Sequence, residues 1–154
     1  MMTLEELEQD ALKRNIPVMQ KEGILFLIEQ LQERKATSCL EIGSAIGYSA
    51  MMMTTHVEHL CVETIELDEQ RYLEAVRHIH EHGLEKRITI HHDDALTFQT
   101  DKLQFAPYDC LFIDAAKAQY QKFFEKYVPF VKKNGIIIVC LLYTSPSPRD
   151  RSVS

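Results

Sequence analysis

The chain contains no tryptophan, and its 154 residues include only five glycines, five prolines and four cysteines. So little glycine and proline excludes collagen-like and low-complexity architectures. Cys39, Cys61, Cys110 and Cys140 stand far apart, in apolar runs. That spacing excludes a disulfide frame and a zinc cluster, and it implies buried free thiols in a reducing cytoplasm. No apolar run approaches the roughly 18 residues of a membrane span, so no membrane partner is expected. Positive charge is not in excess either. The formal net charge is −6, which gives no global support to nucleic-acid binding. The opening Met1-Met2-Thr3-Leu4-Glu5-Glu6 is acidic, unlike a secretory signal or a transit peptide.

What is present is an ordinary globular composition, 45% apolar and 26% charged, in a chain long enough for one domain with a real core. Leu4, Leu7, Ala11 and Leu12 carry helical spacing up to about Arg14, where Asn15-Ile16-Pro17 breaks it. A second helix is expected over 18–35, with Ile24, Leu25, Leu27, Ile28 and Leu31 as its apolar stripe. Gly23 weakens that helix. Beyond it, short apolar runs at 38–42, 60–67, 87–91, 108–113 and 135–139 alternate with helical stretches at 48–55, 68–82 and 118–128. Strand and helix in alternation predict βαβ units: an α/β, Rossmann-like, doubly wound parallel sheet of five strands, preceded by two N-terminal helices. The residues from Leu141 onward, rich in Ser, Pro and Arg, have no periodicity and read as a disordered tail foreign to the domain.

Four segments carry chemistry. Cys39-Leu40-Glu41-Ile42-Gly43-Ser44-Ala45-Ile46-Gly47-Tyr48-Ser49 runs strand, glycine turn, helix start. Gly43 lets a ligand approach the backbone, and a helix opening near Tyr48 offers unpaired N–H groups to an anion. Its G-x-x-x-G spacing is not that of dinucleotide enzymes, and an ordinary βα turn would look the same. The second segment, Thr64-Ile65-Glu66-Leu67-Asp68, puts an acid at the end of the second strand, where a ribose diol would sit. Glu66 suits that role, whereas Asp68 suits the cap of the following helix. The third, His91-His92-Asp93-Asp94-Ala95, follows the third strand and places Asp94 and Ala95 beside an adenine. Adjacent strand residues face opposite ways, so His91 and His92 read as structural. The fourth, Tyr108 to Tyr120, ends its strand at Asp114 with Lys117 three residues on. Asp114 could bind a hard cation or cap the helix, and Lys117 could accept a proton or simply be solvated. His78 and His82, an i, i+4 pair, read as surface histidines near a helix end.

Together these segments resemble the cation-dependent O-methyltransferase family of the catechol and caffeoyl-CoA enzymes. Ile16 to Gly23, followed by Leu40 to Ser49, is most similar to the bacterial branch that methylates 5-hydroxyuridine in tRNA. The resemblance covers about Leu4 to Val139. It implies S-adenosylmethionine (SAM) as cofactor, with Met19, Glu41, Gly43 and Ser49 around its methionine part, Glu66 on the ribose, and Asp94 and Ala95 flanking the adenine. It implies that Asp114 ligates Mg²⁺ and lines the cofactor pocket, and that Lys117 accepts the hydroxyl proton. The family sheet order is 3-2-1-4-5-7-6, with Asp-Asn after the fifth strand completing the metal site. Here Cys140-Leu141 stands in that place.

The expectation is therefore a SAM-dependent O-methyltransferase domain over 1–140, incomplete at its C-terminus, with a non-native tail over 141–154. Its acceptor would be 5-hydroxyuridine in tRNA, with Mg²⁺ assisting, and the complete family member would be a cytoplasmic homodimer. A small phenol of catechol or caffeoyl-CoA type is the alternative acceptor. A SAM-binding or dimerisation module without catalysis is the alternative from another class.

Overall fold

A computed structural model of the chain describes residues 1–16, 18–19, 21–44, 46–115 and 119–141, with Asp114, Ala115 and Leu141 described by backbone alone. Helix α1 (Leu4–Lys13) starts with a reciprocal cap: the Glu6 N–H donates to Thr3 Oγ1 at 3.1 Å, and the Thr3 N–H donates to Glu6 Oε1 at 3.2 Å. It buries Leu7 and Ala11 and leaves Leu12 58% exposed. Helix α2 (Lys21–Glu33) lies within the expected 18–35 and contains the whole apolar stripe. Ile24, Leu27, Ile28 and Leu31 face inward, and Leu25 turns outward, because a helix can bury only one side against its neighbours.

Five strands follow: β1 (Ser38–Ile42), β2 (Cys61–Glu66), β3 (Ile88–His92), β4 (Tyr108–Ala115) and β5 (Val131–Leu141). They pair in parallel in the order β3-β2-β1-β4-β5. The connecting helices are α3 (Tyr48–His56), α4 (Glu69–Glu81) and α5 (Tyr120–Tyr127). Successive strand residues point to opposite faces, and the core divides accordingly. Cys39, Val62, Cys110 and Phe112 pack against α1 to α4. Leu40, Ile42, Ile65, Leu111 and Ile113 pack with Tyr127 and Phe123 of α5. Each fully buried leucine, such as Leu27 or Leu31, is worth about 1.5–3 kcal/mol of burial.

The expected sheet is thus present, with one extension. β5 begins at Val131, four residues before the apolar run. Lys132, Lys133 and Asn134 carry no core pattern, and they lie between the paired residues Val131 and Ile136. The register slips between Tyr108↔Val131 and Cys110↔Ile136. A Cβ on Gly135, inside that irregularity, would lie 2.5 Å from Val131 Cγ1 and 3.0 Å from the Asp109 carbonyl, so the bulge needs glycine. Lys132 Nζ, 2.9 Å from Asp109 Oδ1, anchors the same edge. Cys39 and Cys110 are buried, as expected, but Cys61 and Cys140 are only partly so, and all four are free thiols. Residues 142–154, the expected tail, lie outside the described residues.

Candidate functional site

The carboxyl ends of β1, β2 and β3 are stitched to one another. The turn after β1 takes Gly43 to φ +94°, a conformation that favours glycine. There its N–H donates to the Ile65 carbonyl at 2.9 Å. Gly47, at φ +84°, opens α3 so close to α4 that a Cβ would sit 3.2 Å from Ala75 Cβ. Glu66, at the end of β2, is only 6% exposed. Its Oε2 accepts the Asp68 N–H at 2.9 Å, and the Ser44 hydroxyl lies 3.5 Å from Oε1. The Glu66 carbonyl accepts the Asp93 N–H at 3.1 Å, tying the turn after β3 to β2. Asp94 shapes that turn, with Oδ1 accepting the Leu96 N–H at 2.9 Å. Asp68 caps α4 through the Arg71 N–H at 2.9 Å, as expected.

Between these turns lies a cleft of about 210 Å³, lined among others by Gly43, Glu66, Asp94, Ala95, Gln119 and Phe123. Four of the residues singled out in the sequence therefore meet: Gly43, Glu66, Asp94 and Ala95. Met19, Glu41 and Ser49 are not in this lining. Glu41 is fully buried and accepts a short hydrogen bond from the Ser49 hydroxyl. Met19, 8% exposed, packs on α2, where a Cβ at Gly23 would be 2.9 Å from its Cε. That contact explains a glycine inside a helix. Asp114 pairs through its backbone with Cys140, so β5 brings a cysteine to the position opposite it. The Asp114 side chain and all of Lys117 lie outside the described residues.

Helix α5 supplies what the sequence reading missed. Lys126 Nζ donates to the Ala95 carbonyl at 3.0 Å and to the Leu96 carbonyl at 2.9 Å, and the Tyr127 hydroxyl donates to Ala95 at 2.5 Å. Burial pulls the Lys126 pKa down further than the Asp94 and Asp93 charges push it up. The Tyr127 phenol is raised by burial and then by the same two charges. Positions 119, 123, 126 and 127 share one helical face, a spacing that could have marked them. Ser44 had no signal beyond its place in the glycine turn.

The histidines divide. His91 Nε2 donates to Glu63 Oε2 at 2.6 Å, while His92 stacks on Tyr72 with ring centroids 5.0 Å apart, so the two do face opposite ways. His78 corrects the surface reading. It is 2% exposed, and its Nδ1 donates to the Ile46 carbonyl at 3.2 Å, which ties α4 to the glycine turn. With Ala75 and Ile79 it lies on the buried face of α4. His82 Nε2 donates instead to the Met2 carbonyl at 2.8 Å. Among the described residues no three His, Cys, Asp or Glu side chains gather as a metal site.

A family model described as O-methyltransferase matches residues 1–142. A caffeoyl-CoA O-methyltransferase of Stellaria longipes is 26% identical over 117 residues, 73% of this chain and 47% of that protein. An Arabidopsis thaliana protein provisionally named as a caffeoyl-CoA O-methyltransferase is 31% identical over 119 residues, 73% and 49% of the two chains. The chain spans about half the length of these curated relatives. Among solved structures, a Staphylococcus aureus protein with the same provisional name superposes with a TM-score of 0.83 at 32% identity, over 90% of this chain and 66% of that one. An O-methyltransferase from Bacillus cereus in complex with SAH superposes with a TM-score of 0.77 at 27% identity, over 88% and 64%.

Proposed function

Because the chain belongs to the O-methyltransferase family, we propose that its cleft binds the adenosine part of SAM for transfer of a methyl group to a hydroxyl. The observation that carries this reading is the convergence of Glu66, Asp94 and Ala95 on one cleft. The Glu66 carboxylate is nearly buried and fixed by the Asp68 N–H. A fixed acceptor of this kind suits the two hydroxyls of a ribose. Gly43 lets the ligand come close to the backbone. When bound, SAM supplies the methyl group: its carbon–sulfur bond breaks as the carbon–oxygen bond forms, and the hydroxyl proton is lost. The protein's part is to hold donor and acceptor in line, and Lys117 is proposed to take the proton.

Mg²⁺ assistance rested on Asp114 with an Asp-Asn pair, and Cys140-Leu141 stands in that pair's place. Among the described residues the donor set, with Cys140 opposite Asp114, does not fit a hard divalent cation, which takes oxygen ligands. The acceptor we favour is a phenolic hydroxyl, supported by relatives named for caffeoyl-CoA; the net charge of −6 weighs against the extended phosphate contacts of a tRNA. The 5-hydroxyuridine of tRNA is the second reading, supported by the Ile16 to Gly23 segment. No helix among the described residues is long and apolar enough to cross a membrane.

The test offers labelled SAM to the chain with catechol, caffeoyl-CoA or undermethylated tRNA, alongside calorimetric titration with SAH. We expect SAH to bind and label to appear in a phenol. Label in tRNA alone would reverse the choice of acceptor. SAH binding without any transfer would make the chain a binding module.

A further inference from the structure

His78 is the polar residue on the buried face of α4, between Ala75 and Ile79. It is 2% exposed, and an imidazole taken out of water is unfavourable unless its nitrogens find partners. Each nitrogen has one. Nδ1 lies 3.2 Å from the Ile46 carbonyl, and Nε2 lies 3.4 Å from Arg77 Nη2. A carbonyl only accepts and a guanidinium only donates, so the proton sits on Nδ1 and points at Ile46. Packing alone would be served by an apolar side chain at no desolvation cost. The bond to Ile46 is what the ring adds.

The carbonyl it holds belongs to the glycine turn. Ile46 precedes Gly47, whose φ is +84° and whose N–H donates to the Ser44 carbonyl at 2.8 Å. A Cβ on Gly47 would lie 3.2 Å from Ala75 Cβ. Ala75 and His78, about one helical turn apart, therefore seat two successive residues of the turn on α4. The same helix is capped by Asp68, whose N–H holds Glu66 Oε2 at 2.9 Å. One helix thus sets the spacing between the glycine turn and the Glu66 carboxylate. His78 itself is not in the lining of the cleft.

We propose that His78 is a positioning residue, which through the Ile46 carbonyl fixes the corner at Ile46 and Gly47 for the amino-acid half of SAM. The assignment rests on the SAM reading above. There Glu66, Asp94 and Ala95 take the adenosine, which leaves the Gly43 side of the cleft, and the corner that follows it, for the rest of the ligand.

Calorimetry on the whole chain measures dissociation constants for SAH and for 5′-methylthioadenosine, which lacks the amino-acid half. The proteins are the wild type, His78→Leu, His78→Gln and His78→Asn. Asparagine carries an amide N–H close to the place of Nδ1, glutamine carries it one bond further out, and leucine keeps the bulk alone. We expect His78→Leu and His78→Gln to lose about tenfold in SAH affinity, as for one buried hydrogen bond. Both should hold 5′-methylthioadenosine within about twofold of the wild type, and His78→Asn should stay close to the wild type for both ligands. Equal weakening of the two ligands would show a merely structural role and overturn the proposal. Unchanged SAH affinity in His78→Leu and His78→Gln would overturn it too. If His78→Leu does not fold, the amide pair decides, and SAH bound no better by His78→Asn than by His78→Gln overturns the proposal. If SAH does not bind the wild type at all, the SAM reading falls and the proposal with it, whereas SAH binding that is indifferent to His78 removes the positioning role alone.

Discussion

Glu63 and Glu66 stand three residues apart on β2, both nearly inaccessible at 0% and 6% exposure, yet they live in different regions. Glu63 points to the α5 face of the sheet. There its oxygens take hydrogen bonds from His91, from the Tyr108 hydroxyl, and from the N–H groups of Gln104 and Phe105. Two stretches distant in sequence, at His91 and at Gln104 to Tyr108, close around it, and it is not in the lining of the strand-end cleft. Glu66 points the other way, at the carboxyl end of the strand, tied to Asp68 and Ser44 and lining the cleft. A carboxylate enclosed by donors from several segments acts as a structural fastener. A carboxylate that lines a cleft at a strand end is the kind proposed above to meet a ligand. Residue type and burial are shared, so the partner set tells them apart.

Glu63→Gln gives the largest effect expected. It removes the charge that these donors surround and turns one acceptor into a donor. The stability loss should be about 2–4 kcal/mol, read as a lower melting temperature or denaturant midpoint. SAH affinity of the folded protein should stay the same. Affinity lost with stability intact would place Glu63 in the ligand site and erase the contrast.

Glu66→Ala should behave in the opposite sense. SAH binding weakens by about 1.5–3 kcal/mol, the worth of a charged acceptor, while the thermal midpoint moves little. Calorimetric titration and a melting curve on one sample separate the two, and unaltered affinity removes Glu66 from the ribose role.

Lys126→Met sharpens the comparison from α5, since it removes two bonds to the Ala95 and Leu96 carbonyls without touching the cleft's acids. We expect about 1 kcal/mol of stability lost and a few-fold weaker SAH binding, because the turn beside the base loosens. Normal affinity would show that Tyr127 alone holds the turn.

The smallest effect is in acid. Burial pushes the Glu63 carboxyl up, but His91, Tyr108 and the Gln104 and Phe105 N–H groups together hold it below its ordinary value of 4.5. Its stabilisation is therefore complete above that value and is lost as pH falls through the lowered folded pKa. Asp109, held down by Thr37 and Lys132 against its own burial, adds loss of the same sign. Chemical denaturation from neutrality to below pH 4.5 should show wild-type stability falling more steeply than that of Glu63→Gln. Parallel curves would show that Glu63 is not part of the acid response.

Much of this was legible in the chain. The alternation of apolar runs and helical stretches predicts each strand, because periodicity is a local property of a buried backbone. Asp68 declares itself as a cap, and Gly43, Glu66, Asp94 and Ala95 as a group, because all four follow strands at the same end of a parallel sheet. The buried state of His78 was also written in its spacing from Ala75 and Ile79, which sets it on the inward face of α4. The start of β5 was not legible, since Lys132, Lys133 and Asn134 carry no core pattern and lie in the register slip between Val131 and Ile136.

By itself, the sequence determined the α/β alternation, the position of the glycine turn and the acids that follow β2 and β3, since these depend on residue type and near neighbours. Only the tertiary structure decided that Glu63 is closed off and Glu66 opens on a cleft, that Lys126 and Tyr127 grip the turn at Ala95, and that His78 holds the Ile46 carbonyl. Those outcomes rest on contacts between residues about 30 to 45 positions apart. No spacing along the chain encodes them, because they exist only once the sheet has brought its strand ends together.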